Sequence, residues 1–139
     1  MHTELSCGHI RISITPVEPM NTPPSGLVCH ISVAIRHPTG NFEYNADDVC
    51  LEISALKKFA MELGVLAKEQ AGQAVLVCMS QFFRMAVLVR GSEVMLNVQV
   101  EDYVPNYPNP KLIGSSSESG CDLLNMWQKR INELIDEAL

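Results

Sequence analysis

The sequence lacks the short motifs that mark common catalytic and cofactor sites. It contains no G-x-S-x-G, no Walker-type phosphate loop, no G-x-G-x-x-G and no H-E-x-x-H. None of the four histidines has the spacing of a zinc site, and the closest metal-like pair, Cys7 with His9, lies near the start of the chain. These absences predict that the protein is not an enzyme and that it binds no metal and no cofactor.

Long apolar runs and clustered basic residues are also missing. No stretch approaches the roughly 20 apolar residues of a membrane span, and the first residues contain no apolar run of signal-peptide length. The chain has 10 Lys and Arg against 16 Asp and Glu, a net charge of −6, and its basic residues are scattered. Because phosphate binding requires clustered cations, we expect neither nucleic acid nor a membrane as a partner. Mild acidity keeps a protein soluble, but it also suits a basic protein partner.

The five cysteines form no C-x-x-C pair, and their number is odd. Cys29 and Cys78 stand within apolar runs, where a free cysteine behaves as a small buried hydrophobe. This use of cysteine is typical of a reduced protein rather than of a disulfide framework. We therefore expect a cytoplasmic location.

Hydrophobic periodicity predicts an α+β fold. Between residues 51 and 102 the apolar spacing changes once, from three and four residues to alternation, which indicates a helix followed by three strands. The predicted order is βββ-α-βββ-α, an antiparallel β-sheet of about six strands with two packed helices, in a single domain over residues 1–139. Strands are predicted at 9–17, 27–36, 41–52, 74–79, 82–90 and 93–102, and helices at 54–69 and 120–138.

The segments between these elements carry their own signals. Residues 16–26 are predicted to form a Pro-rich loop, and residues 103–118 a long Pro- and Ser-rich loop, which in a compact domain is either functional or disordered. A bulge or break is predicted at Asn45–Asp48, because consecutive aspartates are unfavourable in a regular central strand. Ser54 is the predicted N-cap of the first helix.

Both helices carry an apolar stripe, which predicts that they pack on the sheet. Gly64 weakens the middle of the first helix by about 1 kcal/mol relative to Ala. In the second helix, Trp127 and the residues around it are expected to be core rather than a recognition surface. The core-facing residues of the first helix are predicted to be Leu56, Phe59, Leu63 and Leu66.

The candidate partner-binding residues are acidic and aromatic side chains at strand ends and in the long loop. Paired carboxylates can perform acid–base chemistry or bind cations, although solvated strand ends explain them more simply. Strand ends and loops present side chains that the fold does not need, and exposed aromatic residues suit protein contacts. The candidates are Asp47, Asp48, Glu101, Asp102, Tyr103 and Tyr107.

Several segments, in this order, resemble the WapI-type family of immunity proteins, which protect bacteria from contact-delivered toxins of their own or kin cells. The family pattern is a strand, a helix with a Leu-x-x-Phe step, a Gly-x-Ala turn and a meander, closed by a C-terminal helix with a leucine stripe. The similarity covers about residues 40–138 but leaves out 103–120. The matching segments are Asn41 to Tyr44, Ile53 to Leu63, Gly72 to Leu76, Phe83 to Val89 and Gly91 to Val100.

The resemblance implies a protein that acts by binding and has no catalytic residue. It would mask a cognate toxin, and a basic toxin domain such as a nuclease would suit the negative charge. Two other hypotheses stay open, a small ligand-binding or enzymatic domain and a homodimeric structural subunit. A pocket lined by converging polar groups would favour a ligand-binding domain, whereas a solid core with an acidic, aromatic-bearing surface would favour an immunity protein.

Overall fold

The computed structural model describes residues 2–20, 23–101 and 111–138. In this part of the chain, a unit of four strands and one helix occurs twice, so the fold is α+β as predicted. The first half contains β1 (Thr3–Cys7), β2 (Ile10–Met20), β3 (Gly26–His37), β4 (Gly40–Glu52) and α1 (Ile53–Glu69). The second half contains β5 (Ala71–Val77), β6 (Phe83–Arg90), β7 (Glu93–Glu101), β8 (Lys111–Ser119) and α2 (Asp122–Ala138).

The eight described strands form two antiparallel sheets of four, not the single sheet of about six that the periodicity predicts. The strand orders are β1-β2-β3-β4 and β5-β6-β7-β8, so each sheet is a meander. The sequence prediction misses β1, which is only five residues long, and β8, whose serine-rich sequence has little apolar alternation.

Both predicted loops are shorter than expected. Residues 111–119 belong to β8 and not to a long loop, while residues 102–110 lie outside the described part of the chain. At the other segment, β2 continues to Met20 and shifts its pairing register between Pro16 and Glu18. The unpaired residue of this bulge is Val17, and Pro16 stands directly before it. Prolines within sheets are confined to such places, where the ladder of hydrogen bonds is interrupted or at an edge.

The inward positions of both sheets and both helices form one hydrophobic cluster. The helices pack against each other, and α1 also contacts β3, β4 and β5 while α2 contacts β1 and β2. Trp127 is fully buried at 0% exposure, as expected for a core residue. The predicted stripe of α1 is confirmed, because none of its four residues is more than 2% exposed: Leu56, Phe59, Leu63 and Leu66.

The N-terminal end and the middle of α1 differ from what the sequence predicts. Its N-cap is Glu52, so the predicted Ser54 cap is wrong, and the Ser54 hydroxyl donates instead to the Glu52 carboxylate at 3.2 Å. In the middle, Gly64 faces α2, where an added Cβ would lie 2.5 Å from Gln128 Nε2. The glycine therefore leaves room for the Gln128 side chain of the neighbouring helix. Neither helix in the described residues combines the length and the apolar character needed to cross a membrane.

The two sheets meet where the β1–β2 turn packs on β8. The Cys7 thiol contacts the carbonyl oxygen of Ser116 at 3.7 Å, and the backbone N–H of His9 donates to Ser116 Oγ at 2.9 Å. Gly114 faces the first sheet, and a Cβ added there would lie 2.6 Å from Ile35 Cδ1. Small residues in β8 thus let the second sheet approach the first closely.

Candidate functional site

The outward side of the first sheet is not covered by either helix, because both helices pack on the inward side. Its central positions alternate with the buried rows of β2 and β3 and carry short side chains. Cross-strand pairing places Ser13 beside Ser32 and Arg11 beside Ala34. The centre of this surface, around Ser13 and Ser32, is half-buried and weakly polar.

Carboxylates surround this centre. Together with the β4 edge, the surface carries six Asp and Glu residues, two Arg and no Lys. Its net charge is therefore −4, whereas the net charge of the whole chain is −6. We call this surface, the outward side of β1 to β4 with its β4 edge, the acidic face. Its carboxylates are Glu4, Glu18, Glu43, Asp47, Asp48 and Glu52, and its arginines are Arg11 and Arg36.

Two of the predicted binding residues lie in a bulge at the edge of the acidic face. The bulge predicted at Asn45–Asp48 is confirmed, because the pairing of β3 with β4 shifts on either side of His30 and Asp48 has a φ of 58°. His30 Nδ1 lies 2.6 Å from Asp47 Oδ1, and the Asp47 side chain is 85% exposed. A contact with so exposed a partner contributes little stability, but it keeps this carboxylate on the outward side.

Glu101 lies in the second sheet, at the end of β7, and is half-buried. Its backbone N–H donates to the Phe82 carbonyl oxygen at 2.9 Å, within the connection between β5 and β6. The same connection contacts β4, where the Met79 N–H donates to the Cys50 carbonyl oxygen at 2.9 Å. The connection therefore contacts both β4, near its bulge, and the end of β7. The remaining candidates lie outside the described residues and stay predictions: Asp102, Tyr103 and Tyr107.

A cleft of about 690 Å³ opens between β1, the end of β8 and α2. We call it the β1–α2 cleft. None of its residues is among the binding residues predicted from the sequence, since the cleft exists only through the packing of α2 against β1. In the sequence, the only hint of this cleft is Arg130, a cation three residues after Trp127. Trp127 is the central residue of the apolar stripe of α2. The cleft is lined by the apolar Leu123 and Met126 and by the polar or charged His2, Thr3, Glu4, Ser6, Glu118, Arg130 and Glu133.

Arg130 spans part of this cleft. One of its guanidinium nitrogens donates to the backbone carbonyl oxygen of Glu4. The Glu4 carboxylate is paired elsewhere, with Arg11 Nε at 2.9 Å. On the opposite wall, Glu118 Oε2 accepts a hydrogen bond from the Gly8 N–H at 3.3 Å. The cleft thus combines an occupied strand carbonyl with carboxylates that can receive a cationic ligand.

The metal-ligand side chains and the cysteine thiols of the described residues bear on what chemistry the chain can perform. In this part of the chain no group of three or more His, Cys, Asp or Glu is arranged to hold a metal ion. Burial raises the pKa of the Cys7 thiol to about 11, and the nearby Glu118 carboxylate acts in the same direction. Burial likewise raises the pKa of Cys29 to about 12. Both thiols are therefore protonated at neutral pH and are poor nucleophiles.

The outward side of the second sheet carries an apolar stripe. Cross-strand pairing places Val75 beside Ala86 and Leu88 beside Met95, and Met95 is 37% exposed. A hollow of about 600 Å³ lies at one end of the stripe. Charges are balanced there, since the hollow includes both Arg90 and Glu93. This surface can bury apolar groups of a partner but has no charge preference.

A comparison of the chain with protein-family models gives no match, and a comparison with curated proteins gives no significant match. The resemblance to WapI-type immunity proteins therefore stays a prediction.

Proposed function

We propose that this chain is a cytoplasmic binding protein that neutralises a basic toxin by covering it, as the resemblance to WapI-type immunity proteins implies. The acidic face is the observation that supports the proposal. Its charge is mostly of one sign, and neither helix covers it. Complementary charge accelerates encounter with a basic partner and disfavours acidic ones.

In this proposal the two kinds of side chain have different tasks. The exposed carboxylates Asp47 and Asp48 mainly raise the association rate, because exposed charges act over a distance and are screened by salt, and the half-buried Glu101 adds to the same negative field. Tyr103 and Tyr107 are the proposed anchors, since a tyrosine buried at an interface contributes about 2 kcal/mol or more.

The first experiment needs the cognate toxin as its probe, which the proposal expects to be a basic domain encoded beside this chain. The test variant, Glu43→Lys with Asp47→Lys, reverses charge on the acidic face. The control, Glu69→Lys with Glu93→Lys, makes the same change in net charge on α1 and the second sheet. We expect the test variant to slow association about tenfold at low salt and to weaken the salt dependence, while the control changes little. Equal effects of the two variants would contradict a role for this particular face.

A second experiment addresses the candidate residues at the end of β7 and after it. Glu101→Lys combined with Tyr103→Ala should weaken toxin binding and reduce protection of growing cells, and the melting temperature of the variant is measured to separate this effect from a loss of stability. Unchanged affinity together with unchanged salt dependence would place the interface elsewhere.

The alternative function is that of a small ligand-binding domain, and the β1–α2 cleft is the observation that favours it. Polar groups converge there from β1, β8 and α2. A thermal-shift screen of polar metabolites tests this alternative. A compound that stabilises the wild type but not Glu133→Gln would support it, because Glu133 is exposed and its substitution leaves the core intact.

A further inference from the structure

One wall of the β1–α2 cleft is an unpaired strand edge. β1 pairs with β2, and no other described strand pairs with β1. In an antiparallel strand, the backbone groups of alternate residues point towards and away from the neighbouring strand. The Glu4 carbonyl is bonded to Arg130 and so points away from β2. Ser6, two residues further along, has the same orientation, so both residues direct their backbone groups towards the cleft.

Arg130 occupies a place on this edge that an added strand would take. Its guanidinium donates to the Glu4 carbonyl oxygen, as the backbone N–H of a neighbouring strand would do. Proteins commonly protect exposed strand edges with charged side chains. Here the protection comes from a long side chain on a helix, which can swing away without any movement of the backbone.

The side chains around the edge define what can replace Arg130. Glu118 and Glu133 line the cleft, and Glu133 is exposed. Leu123 and Met126 provide an apolar floor, and Met126 is 41% exposed. An extended segment has side chains on alternating sides. One that carries Lys or Arg on one side and apolar residues on the other matches both the carboxylates and the floor.

We propose that the β1–α2 cleft binds an extended, Lys- or Arg-containing segment of a partner protein, which adds to the edge of β1 and displaces Arg130 from the Glu4 carbonyl oxygen. Main-chain hydrogen bonds supply affinity in this mode of recognition, and the alternating side chains supply specificity. The proposal does not depend on the function assigned to the acidic face. Although β1 and Glu4 belong to both surfaces, the proposal uses the backbone edge of β1 and side chains that lie outside the acidic face, such as Glu118, Glu133 and Met126.

The experiment uses the full chain and synthetic peptides as probes. The test peptide is a capped heptamer of alternating Lys and Val, long enough to span the edge from His2 to Ser6. One control peptide replaces Lys with Glu, and another keeps every side chain but is N-methylated at alternate residues, so that it cannot donate along one edge. Binding is measured by fluorescence anisotropy, and amide exchange of Ser6 is followed by NMR.

We expect the Lys–Val peptide to bind, the N-methylated peptide to bind about tenfold more weakly, and the Glu–Val peptide not to bind. Amide exchange of Ser6 should slow when the test peptide is present. Binding of both backbone forms with equal affinity, or unchanged exchange at Ser6, would overturn strand addition. Either of these two results would also be expected if the cleft bound only a small ligand and no peptide strand.

Protein variants separate the cleft from the acidic face. Arg130→Met should bind the test peptide about threefold or more tightly, because it frees the Glu4 carbonyl oxygen. Arg36→Met removes the same charge outside the cleft and should leave the affinity nearly unchanged. Glu118→Gln with Glu133→Gln should weaken binding, whereas Glu43→Gln with Asp47→Asn should not. If the acidic-face variant weakened binding of the peptide and the cleft variant did not, the assignment of the binding site to the cleft would be overturned.

Discussion

The two halves of the molecule have the same order of elements but expose different surfaces. Each consists of a four-stranded meander followed by a helix of 17 residues. The inward rows of both sheets are apolar, with Ile, Leu and Val in the first sheet and Val, Leu, Met and Phe in the second. The outward rows differ, because the first sheet exposes Ser, Thr and carboxylates while the second exposes a stripe of Val, Ala, Leu and Met. Burial thus constrains the inward rows in the same way, and the outward rows are where the halves can differ in function.

The helices make the two halves interdependent. α1 and α2 pack on each other, with Gly64 of one beside Gln128 of the other. Each helix brings one large aromatic residue to 0% exposure, Phe59 in the first half and Trp127 in the second. Since these residues belong to one hydrophobic cluster, the two halves should unfold together.

The largest expected effect on the free energy of unfolding comes from truncating the aromatic residue that either half contributes to the shared core. Phe59→Ala and Trp127→Ala should each lower the free energy of unfolding by about 3–5 kcal/mol, the range for truncation of a buried aromatic residue. Urea titration followed by circular dichroism measures both variants. Trp127 is the only tryptophan, so its fluorescence reports on the second half when Phe59 in the first half is changed. A fluorescence transition that stays in place in Phe59→Ala would show that the halves unfold separately.

A second expected effect concerns alkaline pH and originates in the first half. Burial raises the pKa of Cys29 from 9.0 in the unfolded chain to about 12. As the pH rises above about 9, the unfolded state loses its proton while the folded state keeps it, so the free energy of unfolding falls. The slope is about 1.4 kcal/mol per pH unit for each such thiol and ends at the folded-state pKa. Urea titrations between pH 8 and about 11 measure it.

Substitution of single cysteines assigns this slope. Cys29→Ala removes one titrating thiol from the buried row of the first sheet and should make the alkaline loss shallower. Cys121→Ala, which removes a half-buried thiol from the second half, serves as the control. An alkaline slope that is identical in Cys29→Ala and the wild type would contradict the assignment.

The sequence predicts the local features of the fold well, because they depend on neighbouring residues. The apolar spacing identifies the stripe of α1 and the burial of Trp127, and the consecutive aspartates identify the bulge beside His30. The number of sheets could not be predicted in the same way, since alternation is identical whether strands join one sheet or two. β8 was missed because its inward positions include Gly114 and Ser116, which are inward only through contact with the first sheet.

The candidate sites likewise divide into one that depends on neighbouring residues and one that depends on the packing of distant segments. Asp47 and Asp48 could be found from the sequence, because acidic residues in a strand pattern are a local anomaly. The β1–α2 cleft could not, since Glu4, Glu118 and Arg130 are brought together only by the packing of three elements that are distant in the chain. A hydrogen bond from a side chain to a strand edge, such as the one that Arg130 donates, produces no periodic pattern in the sequence.

A smaller effect is expected at the contact between the two sheets. In Gly114→Ala the new methyl group would meet Ile35 Cδ1 at 2.6 Å and have Ile10 Cδ1 and Val98 Cγ1 at 3.4 Å. Overpacking of this kind should lower the free energy of unfolding by about 1–3 kcal/mol. Gly40→Ala is the matched control, because no atom lies within 4 Å of its added Cβ. If the two variants melt alike, the sheets are not as tightly apposed as the contact of Gly114 indicates.

The smallest expected effect tests whether the outward rows are independent of stability. Met95 lies on the apolar stripe at 37% exposure, and its neighbour Leu96 points inward at 0% exposure. Met95→Lys should change the free energy of unfolding by less than about 0.5 kcal/mol, whereas Leu96→Ala should lower it by about 2–5 kcal/mol. On the other outward surface, Glu43→Lys should be as mild as Met95→Lys, since both side chains are exposed. Urea titration of the three variants at one protein concentration makes the comparison. A large loss in Met95→Lys alone would mean that the apolar stripe is buried in solution, and the two outward surfaces would then differ in stability as well as in chemistry.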